Sequence, residues 1–369
     1  MLENAYLVVE QDKIRHNTQI LRNTLKEGTK IISVIKANGY GLDMVQLAHL
    51  SESMGIDILA VLDVPQGIEL REAGITSPIL LLGAVLEGNY QYLIDYDLIQ
   101  VAFNKEAAQK MSDYALSQGT KIKVHIKHDT GLNRLGMTVY DEILSCYSLA
   151  GLDVQGIYTH FVAGQSYEHD DVQFSKKQIN EFKELLALLR ADGIDVGMTH
   201  MQNSPSILQF GDLGFDAVRC GMVMFGLFHP SQLQAARALG YQDVFRFETH
   251  ICMKRTLHQG DAVGYSRTFV CDRDIEVATL STGYCDGIMK GLSLNGGGVV
   301  VNGVLCPIVG DIAMSQFMID VSGVDCKVGD VVTIFGHPLQ TIYDTIALTN
   351  QSINEFVSAL RYTMLRIYE

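Results

Sequence analysis

Through the first two-thirds of the chain, short apolar runs alternate with stretches whose apolar residues recur every three or four positions. The runs lie at 31–36, 58–63, 79–83, 98–103, 122–127, 154–160, 197–203 and 217–226. Their length and β-branched content predict buried strands. Between them, 13–26, 43–54, 105–117 and 174–191 carry helical spacing. In the last, Phe174, Ile179, Phe182, Leu185, Leu186 and Leu189 keep one face apolar. Eight strand–helix alternations predict an α/β fold, a parallel sheet closed into a (β/α)8 TIM-type barrel.

Beyond about residue 238 the pattern changes. Short alternating segments at 245–257, 275–280, 298–307, 316–321 and 331–335 are separated by turns rich in Gly, Asp and Asn. Long helical windows vanish until 352–362. Two domains are therefore expected, a barrel over 1–238 and a C-terminal, mostly β domain over 239–369.

Composition narrows the function classes. With 19% charged and 47% hydrophobic residues among 369, the chain reads as globular. A net charge of −14 without a basic run disfavours nucleic acid and anionic membrane surfaces as partners. Seven cysteines are scattered without a CxxC pair, which suits a reducing compartment, and no metal site is expected. No signal peptide and no run of about 18 apolar residues is present, so the chain itself is expected to make no membrane contact.

In this parse Lys36, Lys127, His160, Ser204 and Arg219 all fall near the C-terminal ends of barrel strands, where barrel enzymes place their reacting groups. The densest chemistry is Val34-Ile35-Lys36-Ala37-Asn38-Gly39-Tyr40-Gly41. A lysine ending a buried strand either snorkels to water or uses its amine, for example in a Schiff base with an aldehyde cofactor. Tyr40, between two glycines, is placed to reach that cofactor's phosphate. Lys127-His128-Asp129-Thr130-Gly131-Leu132-Asn133-Arg134 is a polar turn with a cation at each end. Ser204 follows Asn203 at the start of a helix, and the eighth strand begins Val218-Arg219-Cys220-Gly221-Met222, where the glycine frees backbone amides for a phosphate, a recurrent device of the last two barrel loops. Each has a plainer reading: His160 as a hydrogen-bonded structural residue, Arg219 as a partner of a carboxylate, Tyr265 as a half-buried aromatic.

Taken together and in this order, these motifs resemble the alanine racemases, fold-type III enzymes that use pyridoxal 5′-phosphate. The resemblance runs from Ile14-Arg15-His16-Asn17 to Leu365-Arg366-Ile367-Tyr368. It implies that Lys36 carries the cofactor and acts as one of two bases. The second base would be Tyr265, delivered across the interface of a homodimer with shared active sites. Tyr40, Asn203, Ser204, Gly221 and Met222 would bind the cofactor, with Arg219 facing the pyridine nitrogen and His160 beside the catalytic tyrosine. Arg134 would hold the substrate carboxylate together with the backbone of Met314 from the partner, and Lys127 matches a lysine that is often carbamylated and orients that arginine. Racemisation needs bases on opposite faces of Cα, which such a pair supplies.

Two departures from the family pattern stand out. Met314-Ser315-Gln316 replaces a usual Met-Asp-Gln, and Asn354 aligns with a tyrosine that faces the substrate side chain. Asparagine is smaller and both donates and accepts, which would favour the hydroxyl of serine. The chain thus looks most like the catalytic domain of VanT-type membrane serine racemases of vancomycin resistance. That likeness implies L/D-serine as substrate with alanine activity alongside, and D-serine for peptidoglycan precursors. It also implies a cytoplasmic domain tethered through an N-terminal transmembrane segment absent here, so that Met1 would not be the natural beginning. The alternative is a housekeeping alanine racemase supplying D-alanine to the cell wall. A fold-type III decarboxylase would need a cysteine in a Cys-Glu-Ser-type motif, which is missing; a single-barrel cofactor carrier would lack the second domain.

Overall fold

The computed structural model describes residues 4–369; Met1 lies outside them. The chain forms two compact units, one of Arg15–Gly39 and Met44–Tyr241, the other of the segment through Ile14 with Tyr40–Asp43 and Gln242–Glu369. Strand β1 (Ala5–Val9) belongs to the second.

The first unit is a closed barrel of eight parallel strands: β2 (Lys30–Val34), β3 (Ile58–Val61), β4 (Ile79–Leu81), β5 (Leu98–Ala102), β6 (Ile122–Lys127), β7 (Leu152–Tyr158), β8 (Met198–Asn203) and β9 (Ala217–Cys220). β2 closes the ring against β9, with Ile32 opposite Arg219. Every residue of β3, β4, β5 and β9 is buried, which is why they read as continuous apolar runs. Helices return between strands from capped starts. Asp63 accepts the Gln66 N–H before Val64–Glu72, and Asn104 accepts that of Ala107 before Lys105–Ser117. The long helix His169–Ala191 buries Phe182, whose ring centroid is 5.3 Å from that of Phe215.

The second unit is built on a sheet with strand order β13 (Ile275–Leu280), β16 (Phe317–Asp320), β15 (Val304–Val309), β14 (Gly298–Val301), β17 (Val331–Phe335), β10 (Phe245–Leu257), β1 and β18 (Leu365–Tyr368). Its anticipated strands are β10 (Phe245–Leu257), β13 (Ile275–Leu280), β16 (Phe317–Asp320) and β17 (Val331–Phe335), with the short pair β11 (Ala262–Val263) and β12 (Phe269–Val270) beside Tyr265. β10 serves both ends of the sheet, pairing with β1 and β17 early and with β13 after a bulge at Ile251/Met253.

Three features depart from the sequence reading. The run at 298–307 is a hairpin, β14 (Gly298–Val301) and β15 (Val304–Val309), because Asn302 and Gly303 both take positive φ. A helix at Ile342–Thr349, capped reciprocally by Thr341 and Asp344, precedes the expected one at Ile353–Ser358. The N-terminal residues counted with the barrel domain instead supply β1, which lies between β10 and the final strand β18 (Leu365–Tyr368). Among the described residues, no helix is long and apolar enough to cross a membrane, and no group of three or more His, Cys, Asp or Glu could hold a metal ion.

Candidate active site

Lys36 follows β2 by two residues, half-buried. The chain after it is unusual: Ala37, Asn38, Gly39 and Tyr40 take φ of 54°, 53°, 63° and 56°, a left-handed turn. Each non-glycine residue there costs roughly 1–2 kcal/mol, so the turn persists only if its surroundings enforce it. Hydrogen bonds from Gly39 N–H to the Ile35 carbonyl (2.8 Å) and from Met44 N–H to Asn38 Oδ1 (3.0 Å) do so. Gly39 is required by space as well as by φ, since a Cβ there would stand 2.6 Å from Leu47 Cδ1. In the second unit, the Gly41 carbonyl that follows Tyr40 accepts Arg366 Nε–H at 2.9 Å. Burial and the charge of Arg134 lower the Lys36 pKa, favouring the neutral amine that imine chemistry requires.

Arg219 lies in β9 and is almost wholly buried. Its Nη2 donates to the carbonyls of Thr159 (2.8 Å) and Met201 (2.9 Å) and to His160 Nδ1 (2.9 Å), while Nη1 donates to His200 Nδ1 (2.6 Å). The guanidinium carbon sits 4.8 Å from the Tyr158 ring centroid. Burial pushes its pKa down to about 10, which leaves it a cation at neutral pH. Arg219 thus pairs with histidines and carbonyls, not with the carboxylate of the plainer reading.

His160 follows β7. Its pKa lies well below the ordinary value because its ring is buried and the charges of Arg219, Arg134, Lys127 and Lys36 all oppose protonation. Lys127, the last residue of β6, is pushed to about 8, first by burial; Asp129 counters this, while Arg134 and Arg219 add to it. Its Nζ donates to the Leu135 carbonyl. Burial opposes ionisation of Asp129, yet N–H donors from Gly131 and Asn133 outweigh it and hold that carboxyl below its ordinary value. Arg134 is exposed at the rim, after Asn133 at φ 55°.

At the far side, Ser204 opens the helix Ser204–Phe210 and its Oγ accepts the Gly221 N–H at 3.2 Å. Asn203 caps that helix, accepting the Ser206 N–H at 3.1 Å. Met222, half-buried, continues from Gly221. In the second unit, Tyr265 is 75% exposed and precedes Ser266 and Arg267, both at positive φ. Met314 is also exposed; its carbonyl accepts the Cys285 N–H at 2.9 Å. Ser315 and Gln316 line a cleft of about 450 Å³ with Ser281, Cys285, Asp286 and Arg361. Asn354 is exposed on the first turn of Ile353–Ser358.

Sequence reading assigned no role to His125, His200, Tyr158 or Gln178. Gln178 donates to Thr130 Oγ1 (2.9 Å) and the His160 carbonyl (3.1 Å) and accepts the Val162 N–H (3.1 Å), gripping the backbone on both sides of His160. The available signal was a polar side chain placed among apolar neighbours on a core face.

The donor set suits pyridoxal 5′-phosphate. A half-buried amine of lowered pKa offers the aldehyde its partner, and the Ser204 hydroxyl beside the Gly221 N–H, with Arg219 and Lys127 nearby in the barrel, suits anionic phosphate and carboxylate groups.

Residues 9–229 match the profile of the alanine racemase N-terminal domain, and 244–368 that of its C-terminal domain. The alanine racemase 1 of Oceanobacillus iheyensis is 32% identical over 95% of this chain and 97% of its own. That of Halothermothrix orenii is 35% identical over 88% and 85%. A solved alanine racemase of Clostridium difficile 630 superposes with a TM-score of 0.94 at 29% identity, over 100% of this chain and 96% of that one. One from Bartonella henselae, with covalently bound pyridoxal phosphate, gives 0.85 at 25% identity over the whole of both chains. The chain belongs to the alanine racemase family of pyridoxal 5′-phosphate-dependent isomerases.

Proposed function

We propose that this chain interconverts L- and D-alanine, with Lys36 and Tyr265 as its two bases. The observation that carries the reading is geometric: Lys36, Lys127 and almost wholly buried Arg219 stand at strand ends of one barrel, with Arg219 Nη2 2.9 Å from His160 Nδ1. Held first through the Lys36 amine and then through an amino acid that displaces that amine, pyridoxal 5′-phosphate would supply a conjugated ring that acidifies the amino acid's Cα–H and leave Lys36 free. Lys36 Nζ takes or returns that proton on one face. Tyr265 Oη, from a second copy of the chain, does so on the other; its exposure in the single chain leaves it available for that role. Arg134 and, from the second copy of the chain, the backbone of Met314 hold the substrate carboxylate. Ser204, Gly221, Met222 and Tyr40 hold the phosphate, and Asn203 fixes the helix that presents Ser204. Arg219, a cation that gives up no proton, faces the ring nitrogen and limits charge delocalisation, which disfavours side reactions at Cα. Carbamylation of Lys127 would turn a cation beside Arg134 into an anion that orients it, and a pKa near 8 supplies the neutral amine for that reaction. That the unit holding Gln242–Glu369 donates Tyr265 to a second copy belongs to the same proposal.

A second reading makes serine the preferred substrate, with D-serine for vancomycin-resistance precursors and a membrane tether preceding this domain. It rests on the two departures from the family pattern, at Ser315 and Asn354. The relatives named above are alanine racemases, and alanine is therefore placed first.

A coupled assay comparing L-alanine and L-serine in deuterated water tests both readings. Expected are deuterium at Cα, loss of optical rotation, and the larger kcat/KM for alanine. A visible cofactor band should vanish in Lys36→Ala. No isotope entering Cα under turnover would refute racemisation here, and a larger kcat/KM for serine would reverse the order of the readings.

A further inference from the structure

A buried chain of hydrogen bonds runs outward from Arg219. Its Nη1 lies 2.6 Å from His200 Nδ1, and His200 Nε2 lies 2.8 Å from His125 Nδ1. A guanidinium nitrogen donates and cannot accept. His200 Nδ1 must therefore present a lone pair, which leaves the ring's single proton on Nε2. That Nε2–H donates to His125 Nδ1, so His125 also carries its proton on Nε2. His160 meets the same constraint at its own Nδ1, 2.9 Å from Arg219 Nη2. Three rings share one tautomer because one arginine has no acceptor.

The surroundings hold these rings in place. His200 stacks on Tyr158 with centroids 4.7 Å apart and planes 6° from parallel. His125 pairs across the ladder with Gly156, at a register shift that begins between Val124 and His125. A Cβ on Gly156 would stand 3.0 Å from His125 Cε1, so the ring occupies the space a side chain would take. His125 and His200 are 1% and 0% exposed, and burial beside Arg219 disfavours the doubly protonated form of either ring.

We propose that His125 is a positioning residue for Arg219, acting through His200. Its Nδ1 lone pair holds His200 in the Nε2–H tautomer and so keeps an acceptor aimed at the guanidinium. Without that lone pair, His200 would bury an unpaired N–H or shift its proton to Nδ1, where it would oppose the arginine. Arg219 would then lose one of the bonds that set its plane. The consequence for catalysis rests on the reading in which Arg219 faces the cofactor ring; the tautomer chain does not.

The test has two arms. In ¹⁵N-histidine-labelled holoenzyme at neutral pH, His200 and His125 should each show an unprotonated Nδ1 and a protonated Nε2. Kinetically, His125→Leu should lower kcat about tenfold with KM within about twofold, the loss of one buried hydrogen bond. It should also displace the cofactor's visible band. His125→Gln, whose Oε1 accepts, should recover most of kcat and restore the band. His200 protonated at Nδ1 in the wild type overturns the proposal, as does equal behaviour of the Leu and Gln variants. Should neither variant fold, the wild-type nitrogen shifts decide alone. A wild type that shows no cofactor band sinks the cofactor reading, while those shifts still decide the tautomers.

Discussion

Gly39→Ala probes whether the left-handed turn after Lys36 is enforced by its surroundings. Gly28, Gly39 and Gly41 all hold positive φ, at 87°, 63° and 80°, yet a Cβ meets different things at each. At Gly28 it meets nothing within 4 Å, so Gly28→Ala should cost only the conformational term, about 1 kcal/mol. At Gly39 it lies 2.6 Å from the flexible Leu47 Cδ1 and 3.3 Å from the Met44 backbone nitrogen. Leu47 can move at a cost but Met44 cannot, so the total rises to about 2–3 kcal/mol. At Gly41 the new atom would overlap the Val357 carbonyl oxygen, which is backbone, and a loss of 3 kcal/mol or more is expected. Urea midpoints of the three variants, at unchanged m-value, measure the order directly. Gly39→Ala should also weaken the visible cofactor band, because the turn begins one residue after Lys36. Three equal losses, or a Gly39→Ala protein with wild-type midpoint and band, would refute the claim that close packing holds this turn.

Acid sensitivity follows from the histidines. His125 titrates near 4, lowered from 6.5 by burial and by Arg219, and His200 and His160 are also lowered well below that value. Unfolded histidines take protons first, so stability is complete above pH about 6.5 and declines as pH falls toward about 4. Urea midpoints across that window should show the decline, and His125→Gln should lessen it; a flat wild-type profile contradicts the assignment. For substrate choice, Asn354→Tyr should lower the serine-to-alanine ratio of kcat/KM, and an unchanged ratio would remove Asn354 as a determinant. If Tyr265 serves a second copy, specific activity should fall on dilution in step with dimer dissociation measured by sedimentation; full activity in the monomer would rule out shared sites.

Much of this protein was written locally. Ile79-Leu80-Leu81 and the strands Ile58–Val61, Leu98–Ala102 and Ala217–Cys220 are buried on both faces, which marks them as barrel strands, and Phe182 and Leu189 mark a helix by their spacing. Lys36, Lys127, His160, Ser204 and Arg219 were legible as candidates because barrel topology puts strand ends together, whatever the side chains. Tertiary structure decided three further things. It drew β1 into the second unit's sheet, since an apolar pentapeptide carries no label for the edge it will pair with. It wound Ala37–Tyr40 left-handed, a conformation that follows from enforcement by neighbours. And it set His125 and His200, far apart in the chain, 2.8 Å from each other beside Arg219. A histidine's tautomer depends on which atom faces it, and that is a property of the packed barrel.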